Sequence, residues 1–520
     1  MIKETPSQHR IAPALSAVFS AGQIRAHEHK IFATGVTPYA LMDQAGAAIL
    51  IALQRQWPDA RRVAVVVGKG QNAGDGLVVA RRALEAGLTV ELFGWSAAED
   101  WADAALQAWQ ELMRYAPDCR IRNEPAGLLD AEVVVDALFG IGLNRPIEGV
   151  AASWVAAINA AHRSGVGVIA ADLPSGLLAD TGQVLESPQG SDASAVQADV
   201  TVSFLALKPG LFTGHGSALV GRVMLSLLGQ PSPDVAPVAQ LLLHPEPLPV
   251  KPKDGHKGTF GTVLVIGGNL GMGGAARMVA EAALRVGAGK VILAVHPSQV
   301  IGLNGGRPEL MVHGVDAVHA LMPLLALADA VVLGPGLGQD DWARSLAESA
   351  LAFVGPMIVD ADGLRFLSSS ARRDHPTVLT PHPAEAGRLL DCSTADIQSD
   401  RLSTATRLRD RYQAAALLKG AGSILAVNAG LQICVRGDPA LATAGTGDVL
   451  SGVIGGLLAM GHSPDEALRR GVCWHAVAGE IEAEVHGSWG MAATDLLLPI
   501  RALANGRMQG SDAELPCLLP

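Results

Sequence analysis

From Val63 onward the chain repeats one pattern: a short apolar run that ends in glycine or a polar turn, then a helical stretch, then another run. VAVVVGKG, TVELFGW, AEVVVDALFGIG, GVIAADLPSG, ADVTVSF and GRVMLSLLG carry it to Gly229, with helical patterns such as GLVVARRALEAG and WVAAINAAHRSG between several of them. Short, nearly continuous apolar runs suit strands buried on both faces, and strands alternating with helices make a parallel sheet. Helices also precede the first strand, around ALMDQAGAAILIALQRQ.

The pattern stops in the stretch GQPSPDVAPVAQLLLHPEPLPVKPKDGHKG, Gly229 to Gly258. Proline fixes φ and removes a backbone donor, so this stretch is expected to lack regular structure and to serve as a stiff connector. A second series follows: GTVLVIGGN, AGKVILAVHP, DAVVLGPGLG, PMIVDADGL, TVLTPHPAE and AALLKGAGSILAV. Its motifs differ from those of the first series, so the 520 residues form two unlike α/β domains rather than a duplication. The tail after about Asn505 carries no pattern.

The formal net charge of −11 argues against a partner held by its phosphate backbone, which needs clustered Lys and Arg. The five cysteines are scattered and form no CxxC, which indicates neither a disulfide framework nor zinc and leads to the expectation of a reducing, cytoplasmic setting. The first residues, MIKETPSQHRIAPALSAVFSAG, lack a continuous apolar segment, and no run has the roughly 18 apolar residues of a membrane span. No nucleic-acid or membrane partner is expected.

Glycine-bearing turns follow apolar strands throughout the second series: GGNLGMGGA, GPGLG, KGAGS and the segment AGTGDVLSG, Ala444 to Gly452. Bare N–H groups at a helix start attract anions, and ligands of parallel sheets gather at the carboxyl ends of strands. Their recurrence points to an anionic ligand, most simply a nucleotide, and the absence of GxxxxGK[ST] excludes a P-loop. Asp448 then has two readings. It is a base beside a bound phosphoryl group, or it caps its own helix, since aspartate is among the best N-cap residues.

AGTGDVLSG together with HKGTFGTVLVIGG, AALRVGAGKV, GPGLG, DADGL, TPHPAEAGRLL and GMAATDLL resembles the ADP/ATP-dependent NAD(P)H-hydrate dehydratase family, in order and over essentially all of residues 250 to 505. That resemblance implies a ribokinase-like domain that removes water from the S epimer of NAD(P)H hydrate, which carries a hydroxyl at C6 of the nicotinamide ring. Asp448 would be the base, ADP the co-substrate, Mg²⁺ its phosphate counter-ion, and AMP and phosphate the products. Lys419, Gly420, Ala421, Gly422, Ser423 and Gly447 match the family's nucleotide contacts, and Ala275, Gly336, His382 and Asp448 its hydrate contacts. Asp438, Ala440, Leu441, Ala444 and Ser423 depart from the common pattern but leave Gly445, Thr446, Gly447 and Asp448 intact.

In the first series GKGQNAGDGLVVAR, Gly68 to Arg81, has the placement of a dinucleotide turn without GxGxxG spacing. Asn72, Asp136, Asp172 and Ser175 bring oxygens to strand ends, which suits either a hard cation or simple turn capping. LMDQAG, GQNAGDG, DALFGIGLNRP and DLPSG resemble the NAD(P)H-hydrate epimerase family. By that resemblance Asn72, Asp136 and Ser175 bind K⁺. Gln71, Asn72, Ala73, Gly74 and Asp75, the loop Gly140, Ile141, Gly142, Leu143, Asn144, Arg145 and Pro146, and Asp172 line the hydrate site. Asp172 is the expected acid/base for interconversion of the R and S epimers. Gln71, Ala73 and Asp43 replace the family's usual Asn, Gly and Glu.

The expectation is therefore a Rossmann-like three-layer αβα epimerase domain over 15–230, a proline-rich linker over 231–250, and a ribokinase-like αβα dehydratase domain over 251–505. The small molecules NADHX or NADPHX and ADP are its expected partners, and the chain is expected to be a homo-oligomer. The rival is a ribokinase-like vitamin or sugar kinase fused to a non-catalytic Rossmann-like binding module, since fold alone does not fix the reaction.

Overall fold

The computed structural model describes residues 13–101, 103–185, 195–367, 375–512 and 515–519. Most of the N-terminal segment read above, residues 1–12, lies outside them. The chain divides into two compact units. One runs to Leu241 and takes back the last residues of the chain; the other spans Leu242–Asp512.

The first unit is built on an eight-stranded sheet with the spatial order Cys517–Leu518, Arg222–Ser226, Val200–Phe204, Gly167–Ala171, Val133–Ala137, Arg62–Val67, Thr89–Gly94, Ile121–Arg122. Every pairing is parallel. Side chains alternate between two cores: Val63, Val65 and Val67 face the helices Pro38–Gln56 and Gln71–Glu85, while Ala64 and Val66 face Trp154, Val155 and Ile158 of the helix Val150–Arg163. A period of two with both faces apolar gives a parallel sheet covered by helices on each side, the three layers that the resemblance implies. Strand order reverses between Arg62–Val67 and Val133–Ala137, which leaves a crevice beyond their carboxyl ends.

Three elements differ from the sequence expectation. Ile121–Arg122 and Cys517–Leu518 are two-residue edge strands, too short for a periodic signal. The second arises from the tail read as patternless: it lies beside Arg222–Ser226 with Leu519 buried in the core. The third difference lies in the proline-rich stretch, which is not wholly irregular. Its proline-free segment Ala239–Leu242 forms a strand, with Ala239 and Gln240 pairing antiparallel to Val18 and Ala17.

In the second unit the order is Gly430–Cys434, Ser423–Val427, Ala415–Leu418, Thr377–Leu379, Met357–Val359, Ala330–Leu333, Thr262–Ile266, Lys290–Val295, Met311–Gly314. The strands are parallel except for the hairpins at the Gly430–Cys434 end. Again two cores flank the sheet. Val263 and Val265 face the helices Gly273–Val286 and Thr446–Ala459, and Leu264 and Ile266 face Leu346 and Leu408. Residues 242–250 are packed against this unit: Arg469 and Arg470 pair with Glu246, and the Trp474 indole N–H donates to the Glu246 carbonyl at 3.1 Å. Among the described residues no single helix is long and apolar enough to cross a membrane.

Candidate active sites

In the first unit a cavity of about 1270 Å³ opens at the point where strand order reverses. The helix Gln71–Glu85 begins there with Gly70 as N-cap and no side-chain cap; the Ala73 N–H donates to the Gly70 carbonyl at 3.2 Å, which leaves the Gln71 and Asn72 N–H groups for a ligand. Gln71, Asn72, Asp75, the loop from Gly140 to Arg145, and Asp172 all border the cavity. Ala73 and Gly74 do not: Ala73 is fully buried, and a Cβ at Gly74 would lie 2.5 Å from Met42. They can offer only backbone groups. Pro146 is likewise absent from the cavity wall. Asp43 holds this helix from behind through Arg81 at 2.6 Å and Arg82 at 3.2 Å.

Asp172 follows its strand in a left-handed conformation, φ 68°, which is uncommon outside glycine but which aspartate tolerates better than most residues. Its carboxylate accepts from the Phe204 N–H at 3.1 Å and from the Lys208 ammonium. Lys208 is wholly buried and also donates to Ser203 Oγ and to the Phe204 carbonyl, each at 3.0 Å. Sequence reading missed Lys208, whose one signal is a lysine inside the apolar run SFLALKPGLF. Asp75 and Glu28 complete an acidic wall. Burial, then the Asp172 charge, push the Asp75 carboxyl well above the usual carboxylate range, and the same causes raise Glu28. An ion-paired carboxylate and a carboxyl whose burial favours its protonated form thus border one cavity, an arrangement suited to supplying a base and an acid together.

Asp136 and Ser175 meet behind the loop. Ser175 donates to Asp136 through its N–H at 2.8 Å and its hydroxyl at 2.7 Å, and the Leu138 N–H adds a third bond at 3.2 Å. Burial nevertheless pushes the Asp136 carboxyl up to about 6, and among the described residues no cationic side chain pairs with it. Asn72 lies against Gly140, and its buried side-chain nitrogen has no hydrogen-bond partner. A buried carboxylate with a hydroxyl beside it and no protein cation fits a hard cation.

In the second unit, the strand ends of the reversal point carry Gly267 and Gly334. A Cβ at Gly267 would lie 2.1 Å from the Pro335 carbonyl oxygen, and Gly334 has φ 125° with a Cβ position 1.9 Å from the Asp360 carbonyl oxygen. Only glycine allows these turns to lie so close. Gly336 and Ala275 are neighbours, with the Gly336 Cβ position 3.1 Å from the Ala275 Cβ, so two expected hydrate contacts come together.

Asp448 lies in the first turn of the helix Thr446–Ala459, but it does not cap that helix. Gly445, at φ 90°, is the N-cap, and no side chain closes the helix start. Burial and then the Asp360 charge push the Asp448 carboxyl up to about 6, against the pull of Lys419. Lys419 Nζ donates to Asp360 Oδ1 at 2.8 Å and lies 3.6 Å from the Cβ position of Gly447. Burial pulls the Lys419 ammonium down, but the Asp360 carboxylate outweighs it and holds the group above its usual value. In the same loop the Gly420 N–H donates to Ser423 Oγ at 3.2 Å, closing the Lys419–Ser423 turn on itself. His475 Nε2 lies 2.9 Å from the Thr446 carbonyl. Because burial lowers that imidazole to about 4, the neutral ring donates and fixes the turn.

His382 holds its own turn. Its Nδ1 accepts from the Ala384 N–H at 3.1 Å as N-cap of the helix Pro383–Leu390, and its own N–H donates to Glu385 at 2.8 Å. The Lys419 N–H donates to the carbonyl of the preceding Pro381 at 3.0 Å, so the capped turn still borders the lysine. Asp360, Ser451 and His475 were not singled out from sequence, because each acts through a residue distant in the chain.

Residues 263–501 match the family described as NAD(P)H-hydrate dehydratase, and residues 38–210 match YjeF-related protein N-terminus. The bifunctional NAD(P)H-hydrate repair enzyme Nnr of Coxiella burnetii is 41% identical over 94% of this chain and 100% of its own length. That of Escherichia coli is 38% identical over 91% of this chain and 90% of its own. A solved structure of the ADP/ATP-dependent NAD(P)H-hydrate dehydratase from Bacillus subtilis, co-crystallised with ATP/Mg²⁺, covers 50% of this chain and 95% of its own at 27% identity and TM-score 0.46. With both halves matched in order and the relatives aligned over nearly their whole length, this chain belongs to the family of bifunctional NAD(P)H-hydrate repair enzymes.

Proposed function

We propose that the first unit interconverts the R and S epimers of NAD(P)H hydrate and that the second dehydrates the S epimer with ADP, giving NAD(P)H, AMP and phosphate. The observation that carries the second assignment is Asp448: a partly desolvated carboxylate, free of capping duty, beside a glycine turn and a lysine. In the proposed reaction Asp448 takes the proton of the C6 hydroxyl as its oxygen attacks the terminal phosphorus of ADP, and the bond from that phosphorus to AMP breaks. Hydroxide is a poor leaving group, and phosphate a good one. The ring nitrogen lone pair then expels phosphate from C6, and loss of a proton from C5 restores the double bond. The amides of Gly445 to Gly447 and the Lys419 ammonium would hold the phosphoryl group. Mg²⁺, when bound, would supply charge neutralisation to the nucleotide, and we assign it no protein ligand.

In the first unit Asp172, oriented by Lys208, and Asp75, whose burial favours the protonated form, are the proposed proton acceptor and donor at C6. Inversion there breaks and remakes a bond to oxygen beside the ring nitrogen, which needs a proton given on departure and one taken on return. Asp136, Ser175 and Asn72 would hold K⁺ behind the Gly140 loop. Pairing the activities in one chain is chemically sensible, because spontaneous hydration yields both C6 configurations and the second site takes one.

The test incubates mixed R and S hydrates with the full chain, ADP, Mg²⁺ and K⁺ and follows the reduced-nicotinamide absorbance. Full recovery supports both activities, recovery of half supports the dehydratase alone, and no recovery refutes the reading.

A further inference from the structure

Besides the proposed base, the second unit's site holds another carboxylate, fully committed to protein groups. Asp360 follows the strand Met357–Val359 and is 2% exposed. Its two oxygens reach different elements. Oδ1 accepts from Lys419 Nζ at 2.8 Å, at the start of the loop 419–423, and Oδ2 accepts from Ser451 Oγ at 2.6 Å. Ser451 lies one turn beyond Asp448 on the same helix and the same face. The backbone of Asp360 is itself held close, because the neighbouring strand end at Gly334 leaves no room for a Cβ against it.

The charges around these groups define a competition. Lys419 faces Asp360, Glu385 and Asp448, and the nearby His475 is neutral. Asp448 faces Asp360, Lys419 and Asp362. A lysine ammonium on its flexible stem in a partly desolvated site pairs with whichever carboxylate is free. Glu385 is occupied by the capping box with His382, so without Asp360 the carboxylate left for Lys419 is Asp448.

We infer that Asp360 is a positioning residue of the dehydratase, which fixes the Lys419 ammonium beside the Gly445–Gly447 turn and keeps it from closing onto Asp448, leaving the base unpaired. This rests on the proposed dehydratase reading. Because Asp360 is anchored to Ser451, it also ties the nucleotide loop to the helix that carries the base. Its negative charge raises the proton affinity of Asp448 as well, so losing Asp360 weakens the base in two ways that act in the same direction.

The test uses the full chain with Asp360→Asn and Lys419→Met, measuring ADP affinity with Mg²⁺ by calorimetry and the pH dependence of kcat/KM on the S hydrate. Asp360→Asn is expected to weaken ADP binding about tenfold, lower kcat about a hundredfold, and move the acid limb down by about one pH unit. Lys419→Met removes the cation that favours ionised Asp448, so its acid limb moves up. Opposite shifts are the signature of the proposed competition. Asp360→Asn with unchanged ADP affinity and limb overturns the inference. So does a loss of rate with the limb unmoved, which is the outcome of a merely structural role. Should either variant fail to fold, shown by loss of its circular dichroism, the other decides, since Lys419→Met with an unmoved limb is equally fatal. If the wild-type chain binds ADP but dehydrates nothing, the dehydratase reading falls and the ADP affinities alone judge Asp360.

Discussion

Replacing Lys208 by methionine would remove the ammonium that, among the described residues, meets the Asp172 carboxylate, while nearly keeping the volume of the side chain. Lys208 is fully buried and loses three acceptors at once: Asp172, Ser203 Oγ at 3.0 Å and the Phe204 carbonyl at 3.0 Å. Breaking a buried ion pair from one side costs about 3–5 kcal/mol, because the remaining charge is stranded. Adding Asp172→Asn to Lys208→Met removes that stranded charge and should restore about half or more of the lost stability. Catalysis should behave oppositely, since the single variant loses epimerisation by about a hundredfold and the double variant gains none of it back. Thermal unfolding of the first unit and chiral analysis of the hydrates read the two effects separately. If the double variant is no more stable than Lys208→Met, or if Lys208→Met epimerises at the wild-type rate, the ion pair is not what places Asp172.

Asp75→Asn keeps the shape of the protonated acid but not its transferable proton, so epimerisation should fall about a hundredfold with hydrate affinity within a few-fold of wild type. Dehydration should fall as pH drops through about 6, because Asp448 then takes a proton from solvent and ceases to be a base, and a pH profile of kcat/KM on the S hydrate checks this. Gly334→Ala would set a methyl 1.9 Å from the Asp360 carbonyl oxygen at φ 125°, so dehydration should be lost and the second unit destabilised by about 2–4 kcal/mol, read by thermal unfolding. Truncation after Asp512 removes the strand Cys517–Leu518 and the buried Leu519, which should destabilise the first unit by about 2–3 kcal/mol and leave dehydration unchanged, checked by assaying each activity after graded heating.

Both parallel sheets were legible because their strands are buried on two faces and so read as apolar runs bounded by glycine. What the sequence could not supply were contacts made across the sheet. Asp448 illustrates this, since capping and catalysis suit the same residue at the same place. The left-handed Gly445 takes the N-cap position, which sets capping aside and leaves the role of base as the proposal. Lys208 and Asp360 escaped notice because a buried charge announces itself through its partner, and Asp172 and Lys419 are 36 and 59 residues away. His382 shows the same limit, since its Nδ1 caps the helix Pro383–Leu390 through a local bond that its resemblance to a hydrate contact does not include. The two-residue tail strand has too little length for a period, and it exists only because an open sheet edge accepts it.

The central claim is that Asp448 is the base. Asp448→Asn in the full chain should lower dehydration of the S hydrate with ADP by about a thousandfold or more, while ADP binding and R-to-S epimerisation persist. Turnover of the Asn variant at the wild-type rate would contradict the account.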